Sequence, residues 1–245
     1  MNNKFYVTHN TYVWHSGYFL SGEVRDKMKK MIKIALSAAL VCCCINGKNT
    51  FLSKNPQKNC EMLAVTASAT GSVDLQTHAK SAYLMDFNTQ TVVYSQNEKT
   101  RLPIASMCKI MTLLLSFEAI QAGTLSMDEE ICISERAASM GGSQVFLEAN
   151  AKYKVRELMK SIVVCSANDS CVALAERIAG SESLFVEKMN EKAKEIGAEN
   201  TLFANCTGLP KEPQYSCAKD VAIMLKSLLK HEEYYNTQSC THYSD

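Results

Sequence analysis

A segment that is apolar on every side of a helix cannot lie on a protein surface, and this chain contains one. Across roughly residues 106–121, Ile110, Met111, Leu113, Leu114, Leu115, Phe117 and Ile120 occupy all faces of a helical projection. Such a helix must be wrapped by other elements, which makes it the centre of its domain. Pro103 opens onto it and Gly123 closes it, as expected of helix boundaries. At its mouth, however, Ser106 and Lys109 stand three residues apart, which puts a cation at the start of a segment built for burial.

Residues three apart on a helix share a face, so the two side chains can touch. A lysine amine held among apolar groups is driven toward its neutral form, and its pKa falls. A neutral amine is a base, and a base beside a hydroxyl turns that serine into a nucleophile. The competing reading is a surface lysine at a fraying helix start beside a capping serine, and S-x-x-K alone also occurs by chance. A second polar constellation changes the balance. Ser166-Ala167-Asn168 interrupts two helical patterns, 155–164 and 170–180, which places these side chains on a loop. S-x-x-K followed by an S-x-N element is a known catalytic pairing. There the serine can relay a proton and the amide can hold a substrate backbone. Read in isolation, the same residues would be a loop serine beside a helix cap, with Asp169 well placed as that cap.

Other nucleophilic systems find no support. The five histidines (His9, His15, His78, His231, His242) lie far in sequence from both serines, so nothing points to a Ser-His-Asp triad. No H-E-x-x-H or C-x-x-C spacing suggests a metal or redox site. The eleven cysteines fall mostly singly inside apolar runs, which reads as small buried hydrophobes rather than a disulfide framework. With 26 basic and 25 acidic residues, the chain offers no electrostatic argument for a nucleic-acid partner.

Arg25, Lys27, Lys29, Lys30 and Lys33 precede the apolar run Ile34–Ile45, the order of a secretory signal. Residues 28–46 are therefore expected to act as a signal peptide or an uncleaved membrane anchor. A natural start at Met28 leaves 1–27 as an upstream extension, and the polar residues 47–78 read as a linker to a domain at 79–245. Within that domain, 81–97 reads as a β-hairpin around Asn88-Thr89-Gln90. Helices are expected at 155–164, 170–180, 183–198 and 218–230, a strand or turn at 201–210, and no sheet-like run after 230.

Five stretches carry a specific resemblance: "RLPIASMCKIMT", "SMGGSQVFLEAN", "LMKSIVVCSANDSCVALAERIAGS", "FVEKMNEKAKEIGAENTLFANCTGLP" and "YSCAKDVA". Residues 80–230 resemble the D-alanyl-D-alanine carboxypeptidases, the low-molecular-mass penicillin-binding proteins of peptidase family S11. The resemblance implies an α+β fold of the penicillin-binding-protein and β-lactamase type, with helices packed on an antiparallel sheet. It implies an exported enzyme that removes the terminal D-alanine of peptidoglycan stem peptides ending in D-Ala-D-Ala, is acylated by β-lactams, works outside the membrane or at its surface, and needs no cofactor. Carried over by position, Ser106 corresponds to the acyl-ester nucleophile and Lys109 to its general base. Ser166 corresponds to the proton relay and Asn168 to the substrate-placing amide.

The family's third element, K-T-G, does not follow Asn168 in this sequence. The chain therefore reads as the front part of a family member, with the later strands of the sheet missing and little or no acylation expected from these residues alone. On that view the hairpin at 81–97 should form a small, exposed sheet. Two alternatives stay open, an inactive remnant that binds cell wall and a class A-like β-lactamase. The stretch "AENTLFAN" does not supply the glutamate that the second would need.

Overall fold

The computed structural model describes residues 79–238. The segments 1–27, 28–46 and 47–78, together with 239–245, lie outside the described residues. The hairpin forms as expected, from β1 (Ala82–Met85) and β2 (Val92–Gln96). The strands pair antiparallel, Tyr83 opposite Ser95 and Leu84 opposite Tyr94, with a bulge before Met85. The turn is tied by Asp86, whose Oδ1 accepts the Thr89 N–H at 2.7 Å and the Asn88 N–H at 3.1 Å. All four β1 residues are buried, and Tyr83 and Met85 pack on Ala218 and Ala222. Of the two strands, β2 is the exposed one, with Val92 and Val93 nearly half open to solvent.

A short 3₁₀ turn, Ala105–Cys108, leads into helix α1, Lys109–Gln121. This is the all-apolar segment, and its surroundings match its composition. Met111, Leu113, Leu114, Leu115 and Phe117 are all buried. Its two buried hydroxyls are satisfied internally, Thr112 Oγ1 on the Cys206 carbonyl (2.7 Å) and Ser116 Oγ on the Thr112 carbonyl (2.8 Å).

Four further helices wrap this axis or extend the layer around it: α3 (Val155–Cys165), α4 (Asn168–Ala179), α5 (Glu182–Glu195) and α6 (Ala218–Leu228). Of these, α4, α5 and α6 pack directly on α1, and α3 packs on α4. Gly180 ends α4 with φ +83°, the left-handed stop expected of a glycine there. Helix α7, Glu232–Gln238, was not anticipated. It docks through Tyr234, edge-on to Phe117 with ring centroids 6.0 Å apart.

A second small sheet was also unforeseen. It joins β3 (Glu130–Cys132) to β4 (Lys152–Lys154), with Ile131 opposite Tyr153. Three-residue strands are too short to show alternation, so pairing rather than periodicity defines them. They clamp the base of an excursion that holds helix α2, Glu135–Ala138, and the loop "GGSQVFL". The expected strand or turn at 201–210 is almost entirely turn, with one bridge from Leu202 to Tyr215.

All six cysteines among the described residues are free thiols. Cys108, Cys171, Cys206 and Cys217 are buried hydrophobes as expected, whereas Cys132 and Cys165 are exposed. Among the described residues, no helix is long and apolar enough to cross a membrane.

Candidate active site

Ser106 and Lys109 meet, although not on one regular helix. Ser106 sits on the 3₁₀ turn and Lys109 is the first residue of α1, with Nζ 3.3 Å from Ser106 Oγ. Lys109 is only 4% exposed. Its other partner is the Thr207 carbonyl oxygen at 2.6 Å, so neither hydrogen-bond partner carries a charge. Burial pulls the amine below its ordinary 10.5. The nearest ionisable groups do little to oppose this. Burial also pushes up the thiols of Cys108, Cys171 and Cys206, Cys171 to about 12. At working pH these thiols are neutral and supply no anion to hold an ammonium. An amine in this setting can accept a hydroxyl proton.

The backbone around Ser106 is held in an uncommon shape. Ala105 adopts φ +47°, the left-handed region that residues with a Cβ rarely enter. Gly208, itself at φ +87°, lies directly on it, and a Cβ there would overlap the Ala105 carbonyl and come within 3.0 Å of the Ser106 nitrogen. Only glycine permits that approach.

Asn168 opens α4, buried at 3% exposure. Its Nδ2 donates to the Gly141 carbonyl at 2.7 Å, and its backbone N–H to the Ser143 carbonyl at 2.8 Å. The amide expected to hold a substrate thus spends one donor on the 141–147 loop. Gly142 makes room for it, since a Cβ there would lie 2.8 Å from Asn168 Nδ2 and 3.4 Å from Leu209 Cδ2.

Ser166 caps α3 in the left-handed region at φ 56°. Its buried Oγ has no hydrogen-bond partner, so it is not bonded to Ser106 or Lys109. An orphaned buried hydroxyl is uncommon and costs about 1–3 kcal/mol. Asp169 does more than the helix-cap reading of this stretch allowed. Ala167 is the N-cap and offers no side-chain cap, while Asp169 in the first turn accepts the Ser170 N–H on Oδ1 at 2.9 Å. The other oxygen of this fully buried carboxylate reaches back to the loop, where Oδ2 accepts the N–H groups of Val145 and Leu147, both at 3.1 Å. Between them Phe146, at φ 59°, is turned out to solvent. Among the described residues, His231 is the one histidine, and it lies away from this chemistry, stacked on Phe117 at 5.8 Å, about two turns along α1 from Lys109.

Sequence reasoning missed Thr207, Gly208, Gly142 and the loop-pinning role of Asp169. The only signal for the first two was the turn chemistry of "NCTGLP", which announces a turn without saying what it faces.

Comparison with known proteins identifies the family. The family model for D-alanyl-D-alanine carboxypeptidase matches residues 64–244. The D-alanyl-D-alanine carboxypeptidase DacF of Bacillus subtilis is 52% identical over 159 residues, covering 65% of this chain and 41% of that protein. DacC of Escherichia coli is 34% identical, covering 64% of this chain and 41% of its own length. The crystal structure of DacD from Francisella tularensis superposes with a TM-score of 0.65 at 35% identity, covering 79% of this chain and 43% of that one. The chain thus spans about two-fifths of the length of the curated relatives it matches. The α+β fold expected from the sequence is the fold of these neighbours. A central helix carrying S-x-x-K at its mouth, the S-x-N break before α4 and a family match over most of the sequence lead to one assignment: the chain belongs to the D-alanyl-D-alanine carboxypeptidase family, peptidase S11.

Proposed function

We propose that these residues carry the acyl-transfer centre of a serine D-Ala-D-Ala carboxypeptidase acting on peptidoglycan stem peptides. The supporting observation is the buried Lys109 amine, without a charged partner and 3.3 Å from Ser106 Oγ. With one N–H donated to the Thr207 carbonyl, the neutral amine keeps a lone pair for the Ser106 proton. Ser106 Oγ then attacks the carbonyl between the two D-alanines, forming an ester as the peptide bond breaks. The terminal D-alanine leaves with the proton returned to its nitrogen. The unpartnered Ser166 hydroxyl suits that proton transfer, and Asn168 places the peptide. Water then hydrolyses the ester. A β-lactam would acylate Ser106 by the same attack, and the basic-then-apolar segment 28–46 would export the domain to where both substrates are found.

The K-T-G element does not occur after Asn168, so slow acylation is expected from the 245-residue chain alone. The test uses fluorescent penicillin and intact-mass analysis on this chain. The same assay is run on a chimera that appends the part of the Bacillus subtilis relative beyond the matched region. The chimera should acquire one adduct, mapped to Ser106 and abolished by Ser106→Ala. Lys109→Arg should slow its formation at least about 10²-fold, the usual worth of a general base, because a guanidinium stays protonated. An adduct elsewhere, or an unchanged rate in Lys109→Arg, would defeat the assignment.

A further inference from the structure

A lysine side chain is long and flexible, and burial alone does not fix where its amine sits. The amine of Lys109 is fixed by the Thr207 carbonyl, and that carbonyl must itself be aimed. Because a peptide group is planar and trans, its N–H and C=O point in opposite directions. The Gly208 N–H, which shares a peptide with the Thr207 carbonyl, donates to Asn205 Oδ1 at 2.7 Å. The Thr207 carbonyl is thereby turned the other way, onto Lys109 Nζ. The preceding peptide repeats the arrangement. The Thr207 N–H donates to the same Oδ1 at 3.2 Å, and the Cys206 carbonyl on its far side accepts from Thr112 of α1 at 2.7 Å. Asn205 Nδ2 closes the turn on the Leu209 carbonyl at 2.7 Å, and the side chain sits in a residue only 7% exposed.

We propose that Asn205 is a positioning residue: its side chain sets two successive peptide planes so that the Thr207 carbonyl holds the Lys109 amine against Ser106. The proposal rests on the reading of Lys109 as the base. Nearby Asn190 is a natural control. It also bonds this segment through both ends of its amide, accepting the Phe203 N–H at 2.8 Å and donating to the Phe203 carbonyl at 3.0 Å. Yet it touches neither peptide that faces α1.

The other groups facing the amine are the Ser106 hydroxyl and the thiols of Cys108 on its own segment, Cys171 on α4 and Cys206 on the turn. Glu182 of α5 bears on those thiols and is bonded by Cys206 Sγ. With these unchanged, Asn205→Ala should let the amine leave its acceptor and reach water, and its pKa should rise toward the ordinary range.

The test is a pH titration of Lys109 by carbon-13 NMR of lysine-labelled 245-residue chain, the resonance being assigned by its loss in Lys109→Met. Thermal melts accompany every variant. Asn205→Ala should change the ionisation constant by about tenfold, while Asn190→Ala lowers the melting temperature and leaves Lys109 where it was. If Asn205→Ala does not melt cooperatively, Asn205→Ser takes its place. Its hydroxyl can accept only one of the two N–H groups, so a smaller shift in the same direction is expected. A Lys109 titration that stays put in a folded Asn205 variant, or that shifts equally in Asn190→Ala, overturns the proposal. The titration needs no acyl transfer, so absence of the penicillin adduct on the chimera would count against Ser106 chemistry and not against Asn205.

Discussion

Replacing Gly208 by alanine should be among the most damaging single-methyl additions in this protein, and a matched control separates the causes. Gly208 and Gly180 share nearly the same backbone, φ +87° and φ +83°. An alanine at either site carries the left-handed penalty, about 1–2 kcal/mol. They differ in their neighbourhood. A Cβ on Gly180 meets nothing within 4 Å, whereas one on Gly208 overlaps the Ala105 carbonyl, a backbone group that cannot swing aside as a side-chain tip would. Relieving that overlap means separating the 205–209 turn from the 3₁₀ turn, an overpacking cost of about 1–3 kcal/mol. Gly180→Ala should therefore cost about 1–2 kcal/mol and Gly208→Ala about 2–5 kcal/mol. The larger value is a substantial share of the 5–15 kcal/mol that typically holds a domain folded. Urea unfolding followed by circular dichroism, with slopes compared to confirm a common unfolded reference, measures both. Equal destabilisation would refute the reasoning, because it would show that the turn yields freely and that the close approach to Ala105 is not a constraint.

Two further outcomes can be measured on the same chain. Since burial holds the Lys109 amine below 10.5, the native state binds fewer protons than the unfolded chain between that lowered pKa and 10.5, and stability should rise with pH across this window. Lys109→Met should flatten the rise, seen as urea midpoints that converge with those of the parent as pH increases; parallel midpoints would contradict it. Brief treatment of folded protein with N-ethylmaleimide, mapped by mass spectrometry, should modify Cys132 and Cys165 and spare Cys108, Cys171, Cys206 and Cys217. Labelling of Cys171 as fast as Cys132 would mean that α4 is not packed as described.

What could be read from the sequence was whatever is encoded locally. The all-apolar α1 declared its burial because no face was left for water. Ser106 and Lys109 declared their contact through their three-residue spacing, which a 3₁₀ turn running into a helix satisfies as a regular helix would. The hairpin was legible from two short β-type runs around a turn, and Gly180 from its place after a periodic run. What stayed hidden depends on partners distant in sequence. Asp169 lies 22 residues from Leu147 in the chain, and nothing local distinguishes a carboxylate that caps its own helix from one that reaches a remote loop. Nothing local marks Gly142 and Gly208, because their necessity comes from Asn168 and Ala105. Helix α7 escaped notice because "EEYYNTQ" is mostly polar, with burial concentrated at Tyr234 and Thr237.

The span of the Lys109–Thr207 bond, 98 residues, sets an order on synthesis. A ribosome delivers the two halves of the centre at different times, and at about 5–20 residues per second the second arrives some 5–20 seconds after the first. During that interval α1 is complete but has neither the Cys206 carbonyl for Thr112 nor the Thr207 carbonyl for Lys109. The lysine then stays hydrated and protonated, and that charge resists premature docking of the helix mouth into apolar surroundings. The group read here as the catalytic base would thus serve the nascent chain as a solubilising charge, surrendered only when its acceptor emerges.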